Sequence, residues 1–220
     1  MKIVNIVLID YHEAYSLQER VAAEVATGTA PETLLLLEHP PVYTIGRGKG
    51  GENLLDPAIR AVETNRGGDV TFHGPGQLVG YPIINLGRRG RDLHRYLRFL
   101  EEVLIHTAAG FGVEAWREPG RTGIWTEQGK LASIGVGVRR WVTMHGFALN
   151  VVNDLAPFVR INPCGIAGCQ MTSLARLRGD DAVAVSAVKA VVAQRFVPLL
   201  NALLPESAGI PRRPPCPSTI

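Results

Sequence analysis

Apolar residues recur every three or four positions in three stretches of the chain, which predicts helices over residues 12–27, 93–109 and 182–197. The apolar stripe of the first stretch is Ala14, Leu17, Val21 and Val25, and the stripe of the second is Leu93, Leu97, Leu100 and Leu104. Asp92 stands where a residue that caps a helix is expected. Pro198 is expected to kink or stop the third helix.

Shorter runs of apolar or alternating residues predict strands over residues 2–9, 33–38, 69–73, 78–84, 113–116, 122–127, 130–139 and 143–151. The second run holds four consecutive leucines, which is typical of a buried strand. Gly74-Pro75-Gly76 predicts a turn. Because the strands do not alternate strictly with helices, the pattern predicts an α+β domain with a mixed or largely antiparallel sheet.

Composition narrows the class of protein. The 220 residues are 46% hydrophobic, which suits one domain over residues 1–204, and the stretch 205–220 is a proline-rich tail with five prolines. No apolar run approaches the roughly 20 residues of a membrane-spanning helix. The net charge of +3 is too small to favour nucleic acid as a partner.

The three cysteines are Cys164, Cys169 and Cys216, and no CxxC pair occurs. An odd, low count without an export signal favours reduced thiols in the cytoplasm. Neither a metal site nor a bound cofactor is expected, and a monomer is expected.

Two stretches carry the strongest candidates for chemistry. Residues 66–77, RGGDVTFHGPGQ, mix glycine and proline with polar side chains, which is typical of a loop at a ligand site; the alternative is a tight hairpin. Cys164 lies between Pro163 and Gly165, which predicts a fixed turn with an accessible sulfur. By this pattern alone the cysteine is equally suited to be a nucleophile or a structural residue.

Two further stretches are weaker candidates. Lys130 follows Gly129 at the start of an apolar strand, where a side chain that reaches solvent is the more frequent arrangement and a place in a cleft is the alternative. The small residues of 144–150, MHGFALN, leave room for an apolar ligand chain; the alternative is an ordinary edge strand.

Together these stretches resemble the lipoyl(octanoyl) transferases, which move an octanoyl group from acyl carrier protein to a lysine of lipoate-dependent enzymes. The resemblance runs in order from about residue 35 to 175 and rests on HPPVYTIGR at 39–47, RGGDVTFHGPGQ at 66–77, GKLASIG at 129–135, HGFALN at 145–150 and NPCG at 162–165. One departure is Phe72, where this family leads us to expect tyrosine, so that any hydrogen bond from that hydroxyl is missing.

The resemblance implies the fold of biotin and lipoate protein ligases, with Cys164 as the acyl-thioester nucleophile and Lys130 as its partner. It implies a substrate cleft lined by Arg66, Gly67, Gly68, Asp69, Val70, Thr71, Phe72, His73, Ser133, Ile134, Gly135, Gly146, Phe147 and Ala148. The implied donor is octanoyl-acyl carrier protein. The implied acceptors are lipoyl domains of 2-oxoacid dehydrogenase complexes and the glycine cleavage H protein.

The chemistry needs a thiolate, which a nearby ammonium stabilises. Lys130 then serves as base for the incoming amine and as acid for a leaving sulfur. Backbone N–H groups near Gly165 or in the 66–77 loop are expected to stabilise the oxyanion. His73 and His145 are expected to position substrate. A basic rim for acidic partners is predicted at Arg88, Arg89, Arg91, Arg95, Arg98, Arg139 and Arg140, with a solvated charged face as the alternative.

Three other functions compete. An ATP-dependent lipoate or biotin ligase of the same fold is suggested by the glycine-rich loop Gly46-Arg47-Gly48-Lys49-Gly50. A cysteine hydrolase would use Cys164 with His73 or His145. A non-catalytic binding module is the third alternative.

Overall fold

The computed structural model describes residues 1–48, 51–179 and 183–207. Its centre is a seven-stranded sheet, in which β1 runs parallel to β2 and the other neighbouring strands are antiparallel. In spatial order the strands are β1 (Lys2–Asn5), β2 (Thr33–Leu37), β6 (Gln77–Ile83), β10 (Val142–Asn150), β9 (Gly129–Arg139), β8 (Arg121–Thr126) and β7 (Trp116–Glu118). The predicted mixed sheet is confirmed.

A second, three-stranded sheet has the order β4 (Ala61–Glu63), β3 (Val42–Ile45), β5 (Thr71–His73). The turn at Gly74-Pro75-Gly76 leads from β5 in this small sheet to β6 in the large one, so the alternative of a tight hairpin is wrong. The turn is fixed from outside, because Gly76 N–H donates to the carboxylate of Glu38 at 2.9 Å. This crossing places the 66–77 segment over one face of the large sheet.

Helices cover both faces of the large sheet: α1 (Tyr11–Thr27) on one side, and α2 (Leu93–Ala109) and α4 (Val185–Leu203) on the other, with a short α3 (Leu174–Arg178). Leu35 and Leu37 pack toward α1, whereas Leu34 and Leu36 pack toward α2 and α4. The leucine run is therefore buried on both faces, as predicted. The caps are also as predicted, since Asp92 accepts from Arg95 N–H at 2.9 Å.

Some predicted details are wrong. Leu93 is 38% exposed, because the buried face of α2 is formed by Tyr96, Phe99, Leu100, Val103 and Leu104. Pro198 does not stop the third helix, because it lies inside α4, which continues to Leu203; a kink there stays a prediction. The strand predicted at 113–116 is displaced, since β7 begins at Trp116.

The C-terminal boundary of the domain stays a prediction. Of the predicted tail only residues 205–207 lie within the described ranges, and there Ser207 N–H donates to Arg88 O at 2.8 Å. Residues 208–220, with Cys216, lie outside them. Among the helices of the described ranges, none is long and apolar enough to cross a bilayer.

Candidate active site

Cys164 lies on a single 3-10 turn, Pro163–Gly165, as its neighbours predict. Its φ is 57°, in the left-handed region that costs an ordinary residue about 1 kcal/mol or more. The turn is held because Cys164 N–H donates to Val70 O at 3.0 Å and Asn162 N–H donates to Asn53 O at 2.8 Å. The thiol is thus held in one direction by the backbone around it.

Lys130 meets this thiol. Its Nζ lies 3.1 Å from Cys164 Sγ, and the side chain is only 1% exposed, so the solvent-reaching alternative is wrong. The backbone of Lys130 is fixed on both sides, since its N–H donates to Gln170 O at 2.8 Å and its carbonyl accepts from Thr172 N–H at 3.0 Å. The nucleophile and cation implied by the resemblance are therefore in direct contact.

Gly123 provides the room for this lysine. Its φ is +111°, and a Cβ there would collide with the carbonyl oxygen of Ala132 and lie 3.0 Å from Lys130 Cε. A residue with a side chain would strain the backbone and push the lysine aside. The position of the ammonium thus depends on a glycine in the neighbouring strand β8.

Arg66 brings a second buried cation to the site. Its guanidinium donates to Thr44 O and Thr44 Oγ1 at 2.9 and 2.8 Å, and its side chain crosses Gly135, where a Cβ would lie 3.1 Å from Arg66 Cδ. In the described ranges neither Arg66 nor Lys130 forms a salt bridge with a carboxylate. Two cations without carboxylate partners favour negative charge at Cys164 and at an acyl oxygen bound beside it.

A narrow cavity, here called the inner cavity, opens on one side of the cysteine. Ten of the fourteen predicted substrate residues line it together with Cys164: Arg66, Gly68, Thr71, His73, Ser133, Ile134, Gly135, Gly146, Phe147 and Ala148. Strand β10 lies between β6 and β9, so the alternative of an ordinary edge strand is wrong. Three of its residues, Gly146, Phe147 and Ala148, line the inner cavity.

Four predicted lining residues lie elsewhere. Gly67 faces the second cavity described below. Val70 and Phe72 pack in a separate apolar cluster, with the ring of Phe72 5.0 Å from that of Tyr43. Asp69 accepts from Asn53 Nδ2 at 2.6 Å and so braces the cysteine turn. Val70, Asp69 and Phe72 therefore support the site without lining the inner cavity, and the ring of Phe72 packs among apolar side chains.

Sequence reasoning missed two residues of the inner cavity, Tyr11 and Tyr81. Tyr81 Oη lies 2.8 Å from His39 Nε2, and His39 Nδ1 lies 2.7 Å from Ile9 O. Because Ile9 O can only accept, His39 carries its proton on Nδ1 and the tyrosine hydroxyl donates to Nε2. An aromatic residue next to Asp10 at a helix start, and another inside a strand, look like core residues in the sequence.

His73 and His145 line the inner cavity but do not contact the cysteine sulfur through a hydrogen bond. His73 Nδ1 lies 2.7 Å from Gln77 Oε1, and His145 Nε2 lies 2.6 Å from Asn65 Oδ1. Burial lowers the pKa of His73 to about 3 and the pKa of His145 to about 4. Both imidazoles are therefore neutral at pH 7, and neither forms a hydrogen bond with the thiol, so their role in positioning substrate stays a prediction.

A wider cavity, here called the outer groove, reaches the cysteine and Lys130 from the other side. Apolar side chains and one cation surround the two catalytic candidates in it: Leu93, Leu97, Val136, Ile166 and Arg121. Gly68, Ile134 and Gly135 line both cavities. The sulfur of Cys164 thus stands where the two cavities meet.

Two expectations about charge and hydrogen bonding are corrected. The N–H groups of Cys164, Gly165 and Ile166 already donate to backbone carbonyls, so they are not free for an oxyanion. Arg89 is 5% exposed and lies 2.6 Å from the carboxylate of Glu32, so it holds the fold together and does not belong to a solvent-facing rim. In the described part of the chain no group of three metal-binding side chains occurs.

Known proteins similar to this chain identify its family. Residues 10–197 match the family described as the lipoyl protein ligase A/B catalytic domain. The octanoyltransferase of Geobacter sulfurreducens is 62% identical over 100% of both chains. That of Geobacter metallireducens is 68% identical over 93% of this chain and 96% of the relative.

Solved structures agree on the fold. A lipoate-protein ligase A bound with ATP superposes with a TM-score of 0.74 at 14% identity, over 91% of this chain and 85% of that chain. The biotin protein ligase of Aquifex aeolicus, in complex with biotin and ATP, gives 0.57 at 14% identity, over 94% and 73%. The predicted ligase-like fold is confirmed, and the chain belongs to the octanoyltransferases, within the family of the lipoyl protein ligase A/B catalytic domain.

Proposed function

We propose that the chain transfers an octanoyl group from octanoyl-acyl carrier protein to a lysine ε-amine, through a thioester on Cys164. The acceptors are lipoyl domains of 2-oxoacid dehydrogenase complexes and the glycine cleavage H protein. The observation that carries the proposal is the buried contact of 3.1 Å between Lys130 Nζ and Cys164 Sγ, in a chain of the octanoyltransferase family.

In the first half-reaction the Cys164 thiolate attacks the thioester carbonyl of the donor, and a C–S bond forms. The oxyanion lies near the cations of Lys130 and Arg66. The N–H of Gly68, which lines both cavities and donates to no acceptor within the described residues, is the backbone donor best placed to replace those near Gly165. The donor sulfur then leaves with a proton from the Lys130 ammonium.

In the second half-reaction Lys130 is the neutral amine that this proton transfer leaves behind. It takes a proton from the acceptor lysine as that amine attacks the Cys164 thioester. The amide forms, and the cysteine leaves as thiolate beside the regenerated ammonium. The acceptor ε-amine enters in its neutral form, its ammonium proton having been lost to solvent, and the cycle therefore closes on the ion pair with which it began.

Each of the two cavities takes a different part of the substrates. The acyl chain occupies the inner cavity, and the carrier arm or the acceptor lysine enters by the outer groove. Because the inner cavity is narrow, the rings of Tyr11, His73 and Phe147 have to shift to admit eight carbons. The sulfur remains reachable from the outer groove while the acyl chain is bound.

The test is to incubate the protein with octanoyl-acyl carrier protein, without ATP or acceptor, and to measure its intact mass. One hydroxylamine-labile octanoyl group is expected, which passes to an added lipoyl domain. Cys164→Ala abolishes the adduct. Cys169→Ala, the matched control, retains it, since burial raises the pKa of the Cys169 thiol and disfavours its thiolate.

The competing functions give different results. No adduct, with acceptor acylation only when ATP and free acid are supplied, would indicate a ligase; Lys49 and Gly50 of its suggested loop lie outside the described residues. Free octanoate released to water would indicate a hydrolase. Binding of the acyl chain without transfer would indicate a binding module.

We also propose that the protein acts as a monomer in the cytoplasm. The basis for the compartment is the thiol chemistry, because Cys164 must stay reduced to carry the acyl group.

A further inference from the structure

The ammonium of Lys130 has little to hold it besides the cysteine. Within the described ranges its only hydrogen-bond partner is Cys164 Sγ, and it forms no salt bridge. A buried ammonium needs further compensation for the water it has lost. In the proposed cycle this ammonium stands beside the sulfur before each acylation and is regenerated when the acyl group has left.

Trp125 supplies such compensation. Lys130 Nζ lies 5.3 Å from the centroid of the Trp125 ring, within the range in which an ammonium is attracted to an aromatic face. The two residues are direct cross-strand partners of β8 and β9, so their side chains lie on the same face. The ring is 7% exposed, and a desolvated cation–π contact is the stronger kind.

The indole is held by packing and not through its N–H. Trp125 Nε1 is buried and has no hydrogen-bond partner in the described structure. A second cation, Arg121, lies over the same ring at 5.2 Å and faces the outer groove. The ring therefore attracts the Lys130 ammonium through its π face and not through a hydrogen bond. A phenylalanine ring would keep part of this attraction, and a leucine side chain would keep none.

From these contacts we infer that Trp125 is a positioning residue, which holds the Lys130 ammonium on the Cys164 sulfur before the cysteine is acylated. The inference rests on the proposed function of the lysine–cysteine pair. Phenylalanine is a fair conservative replacement, because no hydrogen bond is lost with the indole N–H.

The test measures the rate at which iodoacetamide alkylates Cys164 at pH 7 in the full chain, by intact mass, with Cys169→Ala and Cys216→Ala in every variant. Trp125→Leu is expected to slow alkylation about tenfold, and Trp125→Phe about two- to threefold. Trp116→Leu is the matched control: it removes an exposed tryptophan directly opposite Trp125 on β7, and it leaves the rate unchanged.

Repeating Trp125→Leu in the Lys130→Met variant distinguishes a positioning role of Trp125 from a purely structural one. There Trp125→Leu should have no further effect, because the cation that the ring holds is gone. An equal slowing in both backgrounds, or a wild-type rate in Trp125→Leu, would overturn the inference. A wild-type rate in Lys130→Met alone would instead refute the proposed pair of Lys130 and Cys164, whatever Trp125 does.

Discussion

Replacing Lys130 with methionine removes the ammonium and keeps an unbranched chain in its place. At the observed 3.1 Å, Coulomb's law with an effective dielectric constant of about 20 gives roughly 5 kcal/mol for two unit charges. Desolvation of the ammonium offsets part of this energy, and Arg66 remains nearby. We therefore expect a net loss of about 2 kcal/mol of thiolate stabilisation, which corresponds to roughly 30-fold.

The assay is single-turnover acylation by octanoyl-pantetheine without acceptor, quenched in acid and followed by intact mass. Lys130→Met should slow acylation at least about 30-fold. It should slow transfer from a pre-acylated enzyme to a lipoyl domain further, because the proton acceptor is also gone.

Lys189→Met is the matched control. Lys189 is 9% exposed, and its Nζ donates to Ile6 O at 2.9 Å, away from the cysteine. This variant should lose stability but acylate at the wild-type rate. If Lys130→Met slowed acylation less than about threefold, the lysine could not be the group that stabilises the thiolate.

Three further predictions follow from other contacts. Gly123→Ala should slow acylation at least tenfold and lower the free energy of unfolding by about 2 kcal/mol, since its Cβ collides with β9; Gly112→Ala, where φ is also positive but no atom lies within 4 Å, should acylate normally. Arg89→Ala should lower the free energy of unfolding by about 3 kcal/mol in urea titrations, because Glu32 loses its buried partner, whereas Arg88→Ala should change it by less than about 0.5 kcal/mol. Burial lowers the pKa of His73 to about 3 and of His145 to about 4, so the unfolded chain binds more protons below pH 6.5, and stability should fall as the pH drops from 6.5 to 4 by up to about 1.4 kcal/mol per pH unit per histidine. His145→Gln should flatten that slope, and an unchanged slope would mean that the imidazole is not neutral in the folded protein.

The cysteine turn is the part of the site that local sequence determines. Pro163 and Gly165 set the backbone on either side of Cys164, and the structure shows that turn with a left-handed φ at both Cys164 and Gly165. Helix α1 and the cap at Asp92 are similarly local, because helical spacing and a capping carboxylate act within a few residues.

Lys130 shows why the rest could not be predicted from local patterns. Its neighbours favour a lysine that reaches solvent, yet the residue is buried by Trp125, by the backbone of 170–172 and by the cysteine turn. The hairpin of β8 and β9 brings Trp125 there, and the tertiary fold brings the other two. Only the family resemblance pointed to the pairing.

Pro198 and Tyr81 were misjudged for the same reason. Phe196 and Leu200 are 0% and 1% exposed on either side of Pro198, so packing carries α4 through a residue that would stop an isolated helix. Tyr81 is one of seven consecutive buried residues of β6, and nothing in that pattern distinguishes a cavity wall from a core position.

The stretch 166–169 connects two segments whose backbones are held by hydrogen bonds, the cysteine turn before it and residues 170–172 after it. Before this stretch, Cys164 N–H donates to Val70 O. After it, Gln170 O accepts from Lys130 N–H, and Thr172 N–H donates to Lys130 O. We expect substitutions within this stretch to leave the separation of sulfur and ammonium unchanged, because the backbone contacts that fix both residues lie outside it. Since Ile166 lines the outer groove, a substitution there would change the wall of that groove without replacing a residue of the lysine–cysteine pair.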